Sequence, residues 1–181
     1  YLLLLSSRRF LLDGDTGLHV RNGGLILESG VIPRVDPFSF SMAGKVWYVW
    51  EWLADLLMAL AHQSAGLRGV VGGALIVLLL TYGLLYRLMV SRNCDPLLAS
   101  SLTLFAATCS IVHWLARPHL LSILFLVIWL TMVESYRRGR RRWIFLTPAL
   151  VGLWANLHGG FSIVFPLLLL YCGGEVGEMV W

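Results

Sequence analysis

Charge is what this sequence has least of. Its 181 residues include 14 basic and 10 acidic side chains, 13% of the chain, while 58% of it is hydrophobic. Soluble domains carry roughly 25% charged residues, and a water-facing surface of this size needs them, so an ordinary soluble domain is excluded. Disorder is excluded by the same arithmetic, because it requires low hydrophobicity and high net charge, and the net charge here is only +4. Lysine is nearly absent: Lys45 stands alone against thirteen arginines. Cysteine is scarce too. Cys94, Cys109 and Cys172 are odd in number and lack metal-ligand spacing, and two of them fall in apolar segments, so buried thiols are expected. There is no repeat of fixed period and no low-complexity linker. The chain starts at Tyr1 without an initiator Met and reads as a fragment of a longer protein. Residues 2–5 are too short a run, too soon followed by Arg8 and Arg9, for a signal peptide.

What is present is a chain whose solvent is partly lipid. A helix needs about 20 apolar residues to cross a bilayer core of about 30 Å. Residues 69–86, 97–116 and 118–133 are free of formal charge, and so is 143–174. The last run would be about 48 Å long as one helix, too long for one crossing, and Gly159-Gly160 is its natural break. The expectation is an all-α polytopic transmembrane helix bundle forming a single membrane domain. Its spans fall at 67–90, 97–116, 118–136, 143–158 and 161–175, after the end of an earlier span at 1–12. Residues 13–66 form an irregular first loop that carries one amphipathic, membrane-surface helix at 50–65.

Orientation follows from the arginines. Arg137, Arg138, Arg140, Arg141 and Arg142 cluster between two apolar runs, and basic loops stay on the cytoplasmic side. Arg87 and Arg92 agree, beside the turn Asn93-Cys94-Asp95-Pro96. Counting spans from that anchor puts 13–66 outside the cytoplasm, in a multi-pass protein of the inner (plasma) membrane. The polar residues that composition does not explain then all reach one face of the membrane.

Four groups of them carry chemistry. Asp13-Gly14-Asp15 places two carboxylates where they can turn to a common point. They can hold a divalent cation, or one can act as a base while the other orients it; a solvated Asp-Gly turn is the plain alternative. Glu51, Asp55 and His62 lie within about 40° of one another on a helix, opposite Leu53, Leu56, Leu57 and Leu60. They form either part of a site or the wet face of a surface helix, although carboxylates at i, i+4 destabilise a helix unless offset. His113 and Arg117 are also at i, i+4, ahead of His119, and suit a phosphate through the bidentate geometry of arginine; snorkelling to lipid headgroups is the alternative. Asn156 and His158 precede two glycines that permit close backbone approach, or simply stop a helix. The Gly69-xxx-Gly73 spacing matches a helix-packing motif weakly, in a span already rich in glycine.

In this order the pieces are familiar. The segments Asp13-Gly14-Asp15-Thr16-Gly17-Leu18-His19-Val20-Arg21-Asn22-Gly23 and Ile32-Pro33-Arg34-Val35-Asp36-Pro37-Phe38-Ser39-Phe40 are followed by Trp50-Glu51-Trp52-Leu53. Ala116-Arg117-Pro118-His119 and Trp154-Ala155-Asn156-Leu157-His158-Gly159-Gly160-Phe161 complete the set. As a set it resembles a bacterial branch of the GT-C glycosyltransferase superfamily, over about residues 10–165. The resemblance implies a membrane enzyme that moves a sugar from a polyprenyl-phosphate carrier to an extracytoplasmic acceptor in the cell envelope. It implies Asp13 or Asp15 as the catalytic acidic residue; the charge and hydrogen-bonding capacity of His19, Glu51, Arg117, His119, Asn156 and His158 make them the candidate substrate-binding residues. Any metal would be a divalent cation at Asp13 and Asp15. The expected partners are the lipid bilayer and the polyprenyl-phosphate-linked sugar, not nucleic acid. The competing reading is a non-enzymatic polytopic transport or envelope-assembly protein. Ionisable residues at mid-membrane would favour that reading, whereas here they gather at one rim.

Overall fold

A computed structural model describes residues 9–180, and those residues are helical apart from turns, loops and one isolated antiparallel bridge between Val35 and Val46. Six α-helices follow one another: α1 (Asp15–Ser29), α2 (Trp52–Ser91), α3 (Pro96–Cys109), α4 (His119–Arg137), α5 (Thr147–Ala155) and α6 (Val164–Val180). Short 3₁₀ turns at Arg9–Leu11, Ile111–His113, Arg141–Leu146 and Gly159–Ile163 join or precede them. Helices are what an apolar chain in lipid must form, because every backbone N–H and C=O has to be satisfied within its own segment.

Local chemistry sets several boundaries. Gly30, in the left-handed region at φ 70°, ends α1 with its N–H on the Ile26 carbonyl, a conformation that costs glycine nothing. Asp95 caps α3 by accepting from the N–H groups of Leu97 and Leu98, with Pro96 in the first turn. The long helix α2 is broken at Ala65 and Gly66, where Gly66 takes φ 60°, ψ −149°, a region essentially reserved for glycine. The surface helix expected at 50–65 and the span expected at 67–90 are therefore two arms of one element. Past the break, Gly69 lies against the Ala61 carbonyl of the first arm, and any side chain there would overlap it.

Two expectations change. The first loop is not irregular, since α1 occupies its first third. Its Gly17, Gly23 and Gly24 disfavour a helix by about 1 kcal/mol each, and packing against α2 overrides them. The span expected at 97–116 stops as a helix at Cys109, and its 14 residues reach only about 21 Å. Likewise 143–158 is a 3₁₀ turn followed by nine residues of α-helix. Three helices are long and apolar enough to cross a membrane: Trp52–Ser91, His119–Arg137 and Gly159–Glu178. Of the stretch expected to end an earlier span at 1–12, residues 1–8 lie outside the described region. Residues 9–11 form a 3₁₀ turn whose Phe10 is fully buried and whose carbonyl accepts from the Ala116 N–H at 2.8 Å.

Two apolar clusters hold the bundle. One gathers Phe10, Val70, Val71, Ala74, Leu78, Ala116 and Leu120, where the second arm of α2 meets the start of α4. The other joins Ala54 of α2 to Phe125, Trp129 and Val133 of α4, to Trp154 and Leu157, and to Val164 of α6. Outside them, Leu79, Leu104, Phe105, Leu169 and Leu170 are exposed, a lipid-compatible surface rather than a water-facing one. Cys109 and Cys172 are also exposed and free, which corrects the expectation of buried thiols: their helices are apolar, but these positions face outward.

The two ends of the bundle differ in charge. At one end Glu134 meets Arg92 at 2.9 Å and accepts from the Tyr171 hydroxyl at 3.1 Å, while Arg137 reaches Glu178 at 3.3 Å. These contacts tie the α2–α3 turn, the end of α4 and α6 together. At the other end stand Asp13, Asp15, His19, Glu51, Asp55, Arg117 and His158. That end depends on one close helix contact, since a Cβ at Gly23 would strike the Asp55 carbonyl of α2 and the Ala59 side chain. Gly24, one residue on, has open space. Gly23→Ala is therefore expected to lower the melting temperature of the purified protein, whereas Gly24→Ala leaves it equal or raises it by about 1 kcal/mol of helix propensity. Equal melting temperatures for the two variants would contradict this packing.

Candidate functional site

The site begins with a buried carboxylate. Asp55 is 2% exposed, in the first arm of α2, and a charge in such a place must be paired and hydrogen-bonded. His19 Nδ1 donates to its Oδ1 at 2.6 Å, and the Asn22 amide donates to its Oδ2. Both donors come from one face of α1, three residues apart, and Gly23 on the same face lets the helices close. The reading of Asp55 as the wet face of a surface helix is thus corrected: the carboxylate points into the α1 contact. His62, grouped with it by spacing, forms no ion pair or hydrogen bond through its side chain among the described residues.

Asp13 and Asp15 converge on Arg117 from more than a hundred residues away. Arg117 Nη1 lies 2.7 Å from Asp13 and Nη2 lies 2.5 Å from Asp15, one guanidinium shared by two carboxylates. The Asp13 carboxylate also accepts the N–H of Asp15 at 2.9 Å. That hydrogen bond, and then the Arg117 charge, holds the Asp13 carboxyl below its ordinary value. Thr16 secures the register by donating to the Ala116 carbonyl at 3.1 Å.

Glu51 sits opposite, just ahead of α2, between two imidazoles. His19 Nε2 is 3.8 Å from one of its oxygens and His158 Nε2 is 3.5 Å from the other. Burial raises the Glu51 carboxyl above its usual range, although the His19 charge pulls the other way. Burial, helped by the charges of His119 and Arg117, lowers His158. His158 Nδ1 accepts the Gly160 N–H at 2.9 Å, so the proton of the neutral ring must be on Nε2. Ser122 stands 2.8 Å from the same Nδ1 while accepting the Trp154 indole N–H at 2.7 Å, which turns its own hydroxyl proton toward His158. Gly160 packs so closely on Ser122 that a Cβ there would overlap it.

Glu51, His113, Leu115, Arg117, Pro118, His119 and His158 enclose a cavity of about 290 Å³. Arg117 and Pro118 also border a second, apolar crevice of about 140 Å³ between the two arms of α2 and α4, lined by Ala54, Met58, Ala74 and Leu120 among others. A polar chamber and an apolar slot are thus both bordered by Arg117 and Pro118. His119 donates its Nε2–H to the His113 carbonyl at 2.7 Å, which holds its ring on the chamber wall.

Of the residues singled out by sequence, Asp13, Asp15, His19, Glu51, Arg117, His119 and His158 come together at this end. Asn156 lies off the cavity: its carbonyl oxygen accepts the Trp52 indole N–H at 2.8 Å and its amide donates to Gly152 at 2.8 Å. It pins the end of α5 to the start of α2. Asp13 and Asp15, named as the candidate cation ligands, share Arg117 in this arrangement. No group of three or more His, Cys, Asp or Glu side chains able to hold a metal occurs among the described residues. Asn22, Ser122 and Trp154 escaped the sequence reading. Asn22 had a signal in its i, i+3 spacing from His19; a single serine in an apolar run had none.

Compared with protein-family models, characterised proteins and solved structures, the chain matches none.

The depressed Asp13 carboxyl has a linkage consequence. Its folded-state value lies below the ordinary 3.8, so the unfolded chain takes up the proton first. The stability it contributes is complete above about pH 4 and is lost as the pH falls toward the folded-state value. The acid limb of stability measured against pH should therefore be shallower in Asp13→Asn than in the wild type. Superimposable limbs would mean that the Asp13–Arg117 pair does not form in solution.

Proposed function

We propose that the chain belongs to a membrane glycosyltransferase that moves a sugar from a polyprenyl-phosphate carrier to an acceptor outside the cytoplasm. The observation that carries this reading is Arg117, which borders both a polar cavity and an apolar crevice. A polyprenyl-phosphate sugar has that same division: an apolar tail for the crevice, a phosphate for the guanidinium and a sugar for the polar chamber. Exposed apolar helices provide the lipid environment from which such a carrier arrives.

The chemistry follows from charge. As the bond between the sugar and its phosphate breaks, negative charge grows on the phosphate oxygen, and a fixed cationic donor stabilises it. Arg117 is that donor. The hydroxyl of the acceptor must lose a proton as it attacks, which requires a carboxylate. Glu51 lines the chamber, and Asp13 and Asp15 stand beside it on Arg117. Asp13 and Asp15, which the resemblance assigns as base, hold Arg117 in the resting state, and each becomes free to take a proton only once the carrier phosphate has drawn the guanidinium away. His119 and His158 face the sugar from the far wall.

In this reading the protein is a multi-pass protein of the inner membrane, with residues 137–142 cytoplasmic and 13–66 outside. The run of arginines at 137–142, at the end of α4 away from the histidines, supports it. A transport or assembly role is less well supported, because among the described residues the ion pairs lie toward helix ends rather than across the middle of a span.

Two measurements test the proposal. Transfer from labelled polyprenyl-phosphate sugars, assayed on the full-length protein, should fall by roughly 10²–10³-fold in Arg117→Lys, because an ammonium lacks the planar fork that binds a phosphate through two parallel hydrogen bonds. No transfer by the wild type from any such carrier would end the reading. For topology, a cysteine at Ser39 should react with an impermeant reagent in intact cells and one at Gly139 should not; the reverse pattern would overturn the orientation.

A further inference from the structure

We infer that Glu51 is the proton-accepting residue of the site, aligned on one side by the Asp55–His19 pair and on the other by a His158 ring locked as an Nε2–H donor. The inference rests on the transfer reading above and names the base within it.

Three carboxylates stand at this end of the bundle, and their surroundings separate them. Asp13 and Asp15 share the one guanidinium of Arg117, at 2.7 and 2.5 Å, and the second oxygen of Asp13 accepts the Asp15 N–H. Among the described residues Glu51 has no hydrogen bond through its carboxylate, only two imidazole nitrogens at 3.8 and 3.5 Å. It lines the 290 Å³ cavity directly, whereas Asp13 and Asp15 do not. Those gaps leave its oxygens open to a hydroxyl arriving in the chamber.

The hydrogen-bond directions on either side are determined. His19 gives its Nδ1 proton to Asp55 at 2.6 Å, so its Nε2 faces Glu51 either as a lone pair or, once charged, as a second donor. The 3.8 Å separation of that nitrogen from Glu51 is beyond hydrogen-bond length and must shorten for a proton on Glu51 to be shared with it, while Asp55 holds the ring in place through Nδ1. On the other side the Gly160 N–H and the Ser122 hydroxyl both occupy Nδ1 of His158, and Trp154 orients the serine. His158 therefore presents an N–H to Glu51. That tautomer also removes its Nε2 as a metal ligand, which argues against a metal bound by the two histidines and Glu51. The charged and titratable groups facing Glu51 are His19 from α1, Asp55 from its own helix, Arg117 and His119 from the start of α4, and His158 from the α5–α6 connection, with Asp15 farther out. Burial raises its carboxyl, which moves its proton affinity toward that of a useful base.

The step balances without a further reactant. The O–H bond of the acceptor hydroxyl breaks and its proton goes to a Glu51 oxygen. The hydroxyl oxygen bonds to the sugar carbon as the bond from that carbon to the phosphate oxygen breaks. The electron pair stays on the phosphate, beside Arg117. Ser122 and Trp154 are positioning residues that act only through His158.

The test combines activity with protonation, both on the full-length protein in detergent. Glu51→Gln should lower transfer from a labelled polyprenyl-phosphate sugar by roughly 10²–10⁴-fold while keeping the wild-type melting temperature to within a few degrees. Glu51→Asp should recover part of the loss. The acid limb of the wild-type rate should lie above the ordinary glutamate value of 4.5, and Asp55→Asn should shift that limb as well as lowering the rate. In ¹⁵N-histidine NMR, His158 should show the Nε2–H tautomer, and Ser122→Ala should weaken that preference. The His19 signals should respond to Glu51→Gln. Transfer at wild-type rates by a folded Glu51→Gln protein would overturn the inference and leave the transfer reading standing. An Nδ1–H tautomer at His158, or His19 signals indifferent to Glu51→Gln, would overturn it as well. If the wild type shows no transfer at all, the functional reading fails, and the assignment of Glu51 as base to that reaction fails with it; the NMR then reports only on the proton shared with His19.

Discussion

A carboxylate with almost no access to water has to find its hydrogen bonds inside the protein, and at Asp55 that requirement organises one whole end of the molecule. Its partners, His19 and Asn22, both lie on α1, so the helix that carries them must dock against α2. Docking at that distance is possible only because position 23 lacks a side chain. Removing one partner of such a buried group costs about 3–5 kcal/mol, several times the worth of an exposed ion pair. Once α1 is seated, Asp13 and Asp15 at its start stand beside Arg117, and Thr16 ties the same helix start to the segment entering α4.

The second constraint is lipid. An apolar chain can expose leucine freely on its outer surface, and α3 and α6 do so; backbone polar groups it cannot expose. The 30–51 loop is largely exposed, but at two places inside the bundle the irregular backbone is packed on protein. The break at Ala65–Gly66 folds the first arm of α2 back on the second. The non-helical stretch after α3 is held by Trp114, whose ring packs with Phe10 and Tyr82, and by the Phe10 carbonyl. These irregular places are also where the polar chamber is built, because a kink or a turn is where a side chain can be aimed away from the helix surface.

Hydrogen-bond direction is the part of the site most dependent on context. A backbone N–H can only donate, so Gly160 settles which nitrogen of His158 bears the proton, and a serine and an indole deep in the bundle reinforce it. None of the three is ionisable. The tautomer of His158 is thus set by residues with no charge of their own.

Some of this is legible in the residues alone, for a physical reason. Scarcity of charge, long uncharged runs and a clustered set of arginines depend only on composition and order along the chain, and they suffice for an all-helical protein with membrane-length helices. The pairing of Gly66 with a helix break and of Asp95-Pro96 with a helix start is likewise local chemistry. Spacing also grouped Glu51 with Asp55, but it could not tell which of them faces water, because that depends on what packs against the helix. The α1 helix was hidden by its glycines, and α3 ran shorter than its apolar composition suggests because Trp114 and the Phe10 carbonyl capture the chain beyond Cys109. Meetings across a hundred residues, such as Arg117 with Asp13 and Asp15, and the chain of Trp154, Ser122 and His158, are decided only by the tertiary structure. Hydrogen bonds act over about 3 Å in space, and a sequence records distance along the chain alone.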